Sequence, residues 1–341
     1  MFSMNSLSNK KISFAPESIK DLLNYHYSDL ISEFYEMQST YLSIKYKKHK
    51  SIESSTIIMC FVRDVHLHIV RQRERELNYD VSLKKFFFNL KNIEIPTQKI
   101  VSVVKTTGIP KETVRRKIKQ LIQKDIIHLQ RNKEYYWNVN SKNEDFYLKT
   151  KQKEIRMISK FVHCFTKYLH LTFTVKEIED EISSQFSFYF YHFLNCQLKW
   201  LQMWQTKIKD IDLIFIAMQA LIPTLKYSEK NIDPKKIGID NLHTIIGSAS
   251  QKYKLSDSSI NASSVSDVSG IPRATCIRKL EKLVKLGLLV REMKTKRYYV
   301  NQFAHDRTKH ITQKENVIST VNFFSNFLST VIFALTRNLK N

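Results

Sequence analysis

Thr107-Gly108-Ile109-Pro110 leads into the basic segment Lys111-Glu112-Thr113-Val114-Arg115-Arg116-Lys117-Ile118. The same form returns 162 residues later, as Ser269-Gly270-Ile271-Pro272 followed by Arg273-Ala274-Thr275-Cys276-Ile277-Arg278-Lys279-Leu280. The chain has only five glycines, and two of them stand at equivalent places here, where a tight turn needs a residue that tolerates positive φ. An internal repeat determines the architecture of a chain. We therefore predict a fold that contains two copies of one small unit.

Each copy predicts two helices joined by the glycine turn. The first helix is expected over residues 97–106 in one copy and 260–268 in the other. Pro110 and Pro272 are expected at the first position of the second helix, a place that suits proline. The second helix has an apolar stripe with the spacing i, i+4, i+7. The stripe consists of Val114, Ile118 and Leu121 in the first copy and of Cys276, Leu280 and Leu283 in the second.

A basic hairpin is expected after each second helix. Asp125 and Gly287 mark the helix end, because both residue types tolerate the left-handed conformation that often occurs there. Short apolar strands then flank a polar tip, and the second strand carries adjacent tyrosines that we expect in the core of the hairpin. The basic residues of the two tips are Arg131, Lys133, Lys294, Lys296 and Arg297.

The chain is strongly basic. It carries 55 Lys and Arg against 32 Asp and Glu, a formal charge of +23, which favours a polyanionic partner, nucleic acid first and an anionic membrane second. A chain rich in Lys, Ile, Asn and Phe would also arise from an A+T-rich genome, so the placement of charge has to carry the argument. Residues 111–124 contain six basic residues and one acidic residue, and residues 273–285 contain five and one. Charge is therefore concentrated on the two predicted second helices.

Catalytic and metal-binding patterns are not found. The four cysteines lie far apart without a CxxC pair, which favours a reducing cytosol over a disulfide scaffold or a zinc module. His66 and His68 are two residues apart and point to different faces of a helix, so they do not form a ligand pair. No nucleotide-binding loop, nucleophile elbow or catalytic carboxylate pair can be read. We predict a cytoplasmic, nucleoid-associated protein that is not an enzyme and has no cofactor or metal.

The regions outside the two copies are predicted to be helical. We divide the chain into an N-terminal dimerisation-like region (1–93), a first head (94–141), a central region (142–256), a second head (257–303) and a C-terminal packing helix (304–341). A long aromatic-rich helix and a second helix precede each head, so the duplication is expected to extend beyond the heads. The first of these long helices is predicted as one piece from Glu17 to Lys45, with an apolar seam that needs a partner helix.

The C-terminal helix allows two interpretations. Residues 317–336 lack charge and approach the length of a membrane span. Their apolar residues repeat at helical spacing, and polar residues such as Asn322 and Asn326 are scattered among them. We therefore expect a packed terminal helix and no membrane, with a membrane anchor as the alternative.

The form T/S-G-I-P-x-x-T-x-x-R-K-I/L, followed by a basic hairpin with adjacent tyrosines, resembles the winged helix-turn-helix domains of MarR-like transcriptional regulators. The resemblance covers about 45 residues in each head. Asp125 departs from it where a glycine is expected, and the helices between the heads match no pattern of the family. The resemblance implies a mainly α fold with two small β-hairpin wings, a tandem winged helix-turn-helix. Because such regulators are usually homodimers, it also implies a single-chain pseudo-dimer, with further dimerisation left open.

The resemblance also implies where DNA would bind. The second helix of each head would enter the major groove, and the hairpin would lie along the backbone or the minor groove. Candidates for base or adjacent phosphate contact are Lys111, Glu112, Thr113, Arg115 and Arg116 in the first head, and Arg273, Ala274, Thr275 and Arg278 in the second. Candidates for phosphate contact are Lys117, Lys119, Lys279 and Lys282, together with the five basic residues of the hairpin tips. A small-molecule effector is allowed, in a pocket lined by Tyr41, Phe186, Trp200 and Trp204, although these aromatics are also typical of a core.

The predicted function is that of a sequence-specific double-stranded DNA-binding transcriptional regulator. The two second helices differ in sequence, so the target is expected to be an asymmetric two-part site with half-sites roughly 34 Å apart. One alternative is a plasmid-type replication initiator that binds origin repeats. A second alternative is a winged-helix module for protein interaction or chromosome organisation, against which the charge of the two helices counts.

Overall fold

A computed structural model of the chain describes residues 14–138, 144–231, 258–301 and 314–338. Within these ranges the protein is mainly helical and has two small antiparallel hairpins, as expected. The helices of the first half are α1 (Pro16–Tyr25), α2 (Tyr27–His49), α3 (Ile52–Arg75), α4 (Phe86–Asn92), α5 (Ile100–Thr107), α6 (Lys111–Gln123) and α7 (Glu144–Thr166). Those of the second half are α8 (Val175–Ser184), α9 (Phe186–Ile208), α10 (Ile211–Asn231), α11 (Ala262–Ser269), α12 (Arg273–Lys285) and α13 (Lys314–Asn338). The hairpins pair β1 (Ile127–Leu129) with β2 (Tyr135–Trp137), and β3 (Leu289–Arg291) with β4 (Tyr298–Val300).

The duplication extends beyond the heads to most of the described helices, although α4 has no counterpart among the described residues of the second half. Helices α1 and α8 each have 10 residues, and α2 and α9 each have 23. Within each pair, the second helix begins 159 residues after the first. Helix α10 likewise begins 159 residues after α3. The first helices of the two heads, α5 and α11, begin 162 residues apart. Helices α7 and α13 close the two halves, and their buried positions match at a spacing of 170. Each half is therefore one copy of the same helical plan.

The two halves interlock. Helix α1 packs on α13 and α8 on α7, while α3 packs on α9 and α10 on α2, so every one of these contacts joins a helix to the opposite half. Aromatic contacts also join the two halves. The ring centroids of Phe34 and Trp200 are 6.4 Å apart, and those of Tyr41 and Phe193 are 5.2 Å apart. The seam of α2 thus finds its partner helix in the second half. The buried apolar residues of the two halves form one continuous hydrophobic core in the described ranges.

The predicted long first helix is wrong in one respect. It breaks at His26, whose backbone has φ −99° and ψ 25°, and the equivalent Gln185 breaks the second half between α8 and α9. The apolar seam continues across the break, because Leu23, Tyr27 and Leu30 are all buried. The break lets α1 leave the axis of α2 and reach α13.

Each head is built around the same turn. The hydroxyl of Thr107 donates to Val103 O (2.8 Å) and accepts from Ile109 N (3.2 Å), and Ser269 repeats both bonds with Val265 and Ile271. Gly108 and Gly270 have φ of 69° and 76°, the left-handed region that favours glycine. The isoleucines after them are buried. Each position of the repeated T/S-G-I motif therefore has a structural reason: the hydroxyl forms two hydrogen bonds, the glycine has a positive φ, and the isoleucine is buried.

Two details of the predicted heads need correction. Pro110 and Pro272 are N-cap residues and not the first helical residues, because α6 and α12 begin one position later. The first helices begin at Ile100 and Ala262, later than predicted, because the residues before them pair with the hairpin. Gln98 exchanges two backbone hydrogen bonds with Tyr135, and Ile260 does so with Tyr298. A third short extended segment thus joins each hairpin to the start of its head.

The helix end before each hairpin is as predicted. Asp125 has φ 58° and Gly287 has φ 74°, so both adopt the left-handed conformation. Asn138 and Asn301 close the heads by donating their side-chain amides to the carbonyls of these two residues, at 2.9 and 2.8 Å. Each hairpin is thereby held to the end of its basic helix.

Helix α13 packs into the core as expected of a terminal packing helix. It is long and apolar enough to cross a membrane by length and composition, and half of its most apolar window is buried. Phe324, Leu328, Val331 and Leu335 form the buried face against α1 and α9.

Candidate nucleic-acid interface

The basic helices α6 and α12 bury the stripes that their sequences predict. Val114, Ile118 and Leu121 are at most 2% exposed, and Cys276, Leu280 and Leu283 at most 1%. The opposite face of each helix lies at the surface. The exposed predicted site residues are Lys111, Glu112, Arg115, Arg116 and Lys119 in α6, and Arg273, Ala274, Arg278 and Lys282 in α12; Thr113 and Thr275 are half-buried.

Arg116 and Arg278 occupy equivalent exposed positions in the two helices. Neither guanidinium forms a hydrogen bond or an ion pair with any residue in the described ranges. An exposed Arg without a protein partner keeps all five N–H donors for an external acceptor such as a base edge or a phosphate.

Lys117 and Lys279 were predicted to be exposed, but both side chains are mostly buried and contact residues of the protein. Lys117 Nζ donates to Ser51 Oγ (2.9 Å) and lies 3.6 Å from a carboxylate oxygen of Glu53. Lys279 Nζ lies 2.5 Å from Asp210 Oδ1 and 3.8 Å from Asp212 Oδ2, at the equivalent end of α10. Their side chains are only 15% and 13% exposed.

These lysines join the basic helices to the helical body. Burial opposes ionisation of Asp210, but the ammonium groups of Lys279 and Lys282 outweigh it and lower the pKa of that carboxyl. For Asp212 burial prevails and the pKa is raised. No observation tests the grouping of Lys117 and Lys279 with the phosphate-binding lysines, but both ammonium groups already have partners within the protein, so the proposed interface omits them. Lys282 remains about half exposed and stays in it.

The two exposed faces differ in chemistry. In α6, Arg115 Nη1 forms an ion pair of 2.7 Å with Glu112. The equivalent positions in α12 hold Ala274 and Ile277, so this pair has no counterpart. Arg273 instead donates to the hydroxyl of Ser263 at 3.0 Å. The first face presents a zwitterionic pair where the second presents small and apolar groups.

The hairpin tips carry the remaining predicted residues, all exposed: Arg131, Lys133, Lys294, Lys296 and Arg297. Lys133 and Lys296 have φ of 62° and 56°, so the two tips turn at equivalent lysines. Behind the tip, Tyr298 is buried and donates its hydroxyl to Glu281 at 2.7 Å, while Tyr135, Tyr136 and Tyr299 are half-buried. The tyrosines thus support the hairpins.

The aromatic cluster suggested as an effector pocket is core. Tyr41, Phe186 and Trp200 are at most 1% exposed, and Trp204 is 9% exposed. His66 is also a core residue, stacked on Phe86 at 5.0 Å, with Nδ1 3.2 Å from Ser187 Oγ. Within the described ranges no group of three or more His, Cys, Asp and Glu could hold a metal ion.

One polar cluster was missed by sequence reasoning. Lys151 and Glu154 lie on the buried face of α7, beside Lys45 of α2. The signal was present, since Tyr147, Lys151 and Glu154 continue the apolar stripe of α7 at helical spacing.

Comparison with known proteins finds no family model, no curated protein and no solved structure that matches this chain.

Proposed function

We propose that the protein is a sequence-specific double-stranded DNA-binding regulator of transcription, with two winged-helix heads on one pseudo-dimeric chain. The observation that carries the proposal is the pair of exposed arginines, Arg116 and Arg278, which lie at equivalent positions of two basic helices and have no partner among the described residues. Each helix is followed by a hairpin whose tip is basic, the order of elements in a winged helix. Two heads related by an interlocked duplication suit two successive turns of one DNA duplex.

The target is an asymmetric two-part sequence. Arg116 and Arg278 each read a base or hold an adjacent phosphate, and a bidentate contact to guanine contributes about 1–3 kcal/mol of discrimination. The neighbours of the two arginines differ, because Glu112 and Arg115 are replaced by Ala274 and Ile277. The exposed lysines and the hairpin tips add affinity without sequence information.

Selection from a random duplex DNA pool, at near-physiological salt, tests the proposal. The full chain is compared with Arg116→Ala, Arg278→Ala and the control Arg71→Ala, which removes the same charge from an exposed position of α3. The expected result is a two-part motif in which each head variant loses one part and the control loses neither. Equal loss of both parts of the motif in both variants would contradict the proposal that each head recognises its own half-site.

The same experiment separates the alternatives. A motif that occurs near promoters supports regulation, whereas a motif iterated at replication origins supports an initiator. If no motif is enriched and binding disappears as salt rises, the charge provides only non-specific attraction. That outcome would favour a protein-interaction or chromosome-organising module.

A further inference from the structure

A row of basic residues lies on the outer face of α7, outside both heads. Its members, which we call the α7 stripe, are Lys149, Lys153, Arg156 and Lys160. Helical spacing places these four positions within about 60° of one another around the helix axis and over a length of about 16 Å. All four side chains are exposed, and the remaining exposed residue between them is Gln152. The α7 stripe therefore presents cations with no acidic or apolar side chain exposed among them.

Carboxylates of the protein leave most of this charge uncompensated. Arg156 lies 3.7 Å from Glu179 of α8, and the three lysines form no ion pair with any residue in the described ranges. Glu154, on the buried face of α7, already pairs with Lys45 and Lys151, at 2.6 and 2.8 Å. Because an exposed ion pair contributes little free energy, Arg156 also remains available to an external anion.

The α7 stripe adjoins a basic junction between the first head and the helical body. Lys48, near the end of α2, places its ammonium 5.4 Å from the ring centroid of Phe146, in the first turn of α7. Lys124, directly after α6, is exposed and lies at the same junction. Burial lowers the pKa of His49 to about 3, and neighbouring ammonium groups, among them Lys48 and Lys124, add to the effect. Positive charge thus extends from the first head onto the side of the body.

Helix α7 carries the stripe away from the heads. Its first turn lies at the C-terminal end of α2, whereas the ring centroid of Phe161 lies 6.1 Å from that of Phe34, in the N-terminal half of α2. The two helices are therefore antiparallel. Lys167, directly after α7, is exposed and lies about two turns beyond Lys160. A polyanion that leaves the first head can follow this line of cations along the body.

The second half lacks the stripe. At a spacing of 170 residues, the equivalent positions of α13 hold Ser319, Phe323, Asn326 and Thr330. Leu286 replaces Lys124, and Lys207, the equivalent of Lys48, donates to the amide oxygen of Asn316. A chain-wide excess of lysine, such as an A+T-rich genome produces, would raise the lysine content of both copies alike. The concentration of cations on α7 therefore indicates a function of the first half.

The chemistry of the α7 stripe favours a nucleic-acid backbone over a protein or a membrane. Protein interfaces are depleted in lysine and anchored by large, mainly aromatic side chains, which the exposed positions of the stripe lack. A planar anionic membrane would also meet α8, which packs beside α7 and exposes the carboxylates of Glu177 and Asp180. Flexible point charges in a row suit the phosphates of a nucleic acid, which carry no sequence information.

We propose that the α7 stripe binds the phosphate backbone of duplex DNA that leaves the first head, and that the second half makes no such contact. DNA on the outer side of the first half-site then bends towards the helical body, whereas DNA beyond the second half-site continues unbound. The contact adds affinity without sequence preference. The position of this DNA rests on the proposed function, but the attraction of the stripe for phosphates does not.

Fluorescence anisotropy titrations of the full chain test the stripe with duplexes that contain the selected two-part motif. One duplex ends at the motif, and two others are extended by about 15 base pairs beyond one half-site or the other, which at about 3.4 Å per base pair exceeds the length of the stripe. The half-site that Arg116→Ala weakens identifies the first side. The extension on that side is expected to raise the affinity about tenfold, and the extension on the second side to leave it unchanged.

The variant Lys153→Gln/Lys160→Gln removes two charges from the stripe. It is expected to abolish the gain from the first extension and to lower the slope of log affinity against log salt concentration by about 2, the effect of two lost phosphate contacts. The matched control Arg71→Gln/Lys199→Gln removes the same charge from exposed positions of α3 and α9 and is expected to change neither quantity. Lys153→Arg/Lys160→Arg keeps the charge and should keep the gain. Equal melting temperatures of the variants check that all of them fold.

Three outcomes of these titrations would overturn the proposal: equal gains from the two extensions, a gain that the Gln variant of the stripe retains, or equal losses in that variant and its control. Binding to phosphatidylglycerol vesicles that the Gln variant loses, with no effect of either extension, would assign the stripe to a membrane and would overturn the proposal as well.

Random-sequence duplex DNA separates this proposal from the proposed function. If no motif is selected, but the Gln variant of the stripe lowers the salt slope on random duplex and the control does not, the proposed function fails and the contact of the stripe with DNA stands. If the motif is selected and the first extension adds no affinity, only the proposal for the stripe fails.

Discussion

Replacing Gly270 by alanine tests whether the second head sits on α2 of the opposite half. A Cβ built on Gly270 would lie 2.6 Å from Lys47 Cγ, closer than such atoms approach in folded proteins, and 3.1 Å from its Cε. The equivalent contact in the first head is looser, since a Cβ on Gly108 would lie 3.2 Å from Thr206 Cγ2. Both contacts join a turn of one half to the long helix of the other.

The magnitude follows from two terms. Alanine at a φ of 76° costs about 1 kcal/mol relative to glycine, whatever the space around it. Displacing the Lys47 side chain from its rotamer adds about 1 kcal/mol. We therefore expect Gly270→Ala to lower the free energy of unfolding by about 2 kcal/mol, and Lys47→Ala, at an exposed position, to change it by less than about 0.5 kcal/mol.

A double-mutant cycle isolates the contact. Because Lys47→Ala removes the atoms that clash, the double variant should lose only the backbone term, which gives a coupling free energy of about 1 kcal/mol. Urea unfolding followed by both circular dichroism and tryptophan fluorescence is the assay, and coincidence of the two transitions checks that one free energy describes the process. Additive effects of the two substitutions would refute the seating of the second head on α2.

Two further predictions concern buried charge. Lys279→Met should lower the free energy of unfolding by about 1–2 kcal/mol, because Asp210 and Asp212 lose their shared cation, whereas Lys282→Met should cost less than about 0.5 kcal/mol; urea unfolding of the two variants distinguishes them. If the two variants lose equal stability, Lys279 does not anchor α12 to α10. Burial, and secondarily Lys151, lowers the pKa of His66 well below its ordinary 6.5, so below pH 6.5 the unfolded chain takes up a proton that the folded chain refuses. The free energy of unfolding should therefore decrease as the pH is lowered through this window, by up to about 2 kcal/mol at pH 5. The variant His66→Gln should show a shallower decrease, and parallel pH profiles of the two proteins would show that His66 is not responsible.

The heads were largely predictable from sequence because their determinants are local. The turn needs glycine at positive φ, a small hydroxyl before it and a buried isoleucine after it, and all three stand side by side in the repeated motif. The apolar stripes and the left-handed Asp125 also depend on neighbours within a few residues. The exposed place of Arg116 and Arg278 follows from the same helical spacing.

Only the tertiary structure decided how the halves combine. Helical periodicity shows that α2 needs a partner helix. It does not show that the partner belongs to the second half, because an apolar seam can pack against any apolar helix face of matching shape. The place of Lys117 and Lys279 depends on carboxylates that lie 64 and 69 residues earlier in the chain. For the same reason the sequence presents six basic residues in α6 and its flank as one class, although folding pairs Lys117 with Glu53 of α3 and Arg115 with Glu112, and leaves Arg116 exposed. Local geometry could be predicted from the chain, whereas the interlocked packing arose from contacts between residues that lie far apart in it.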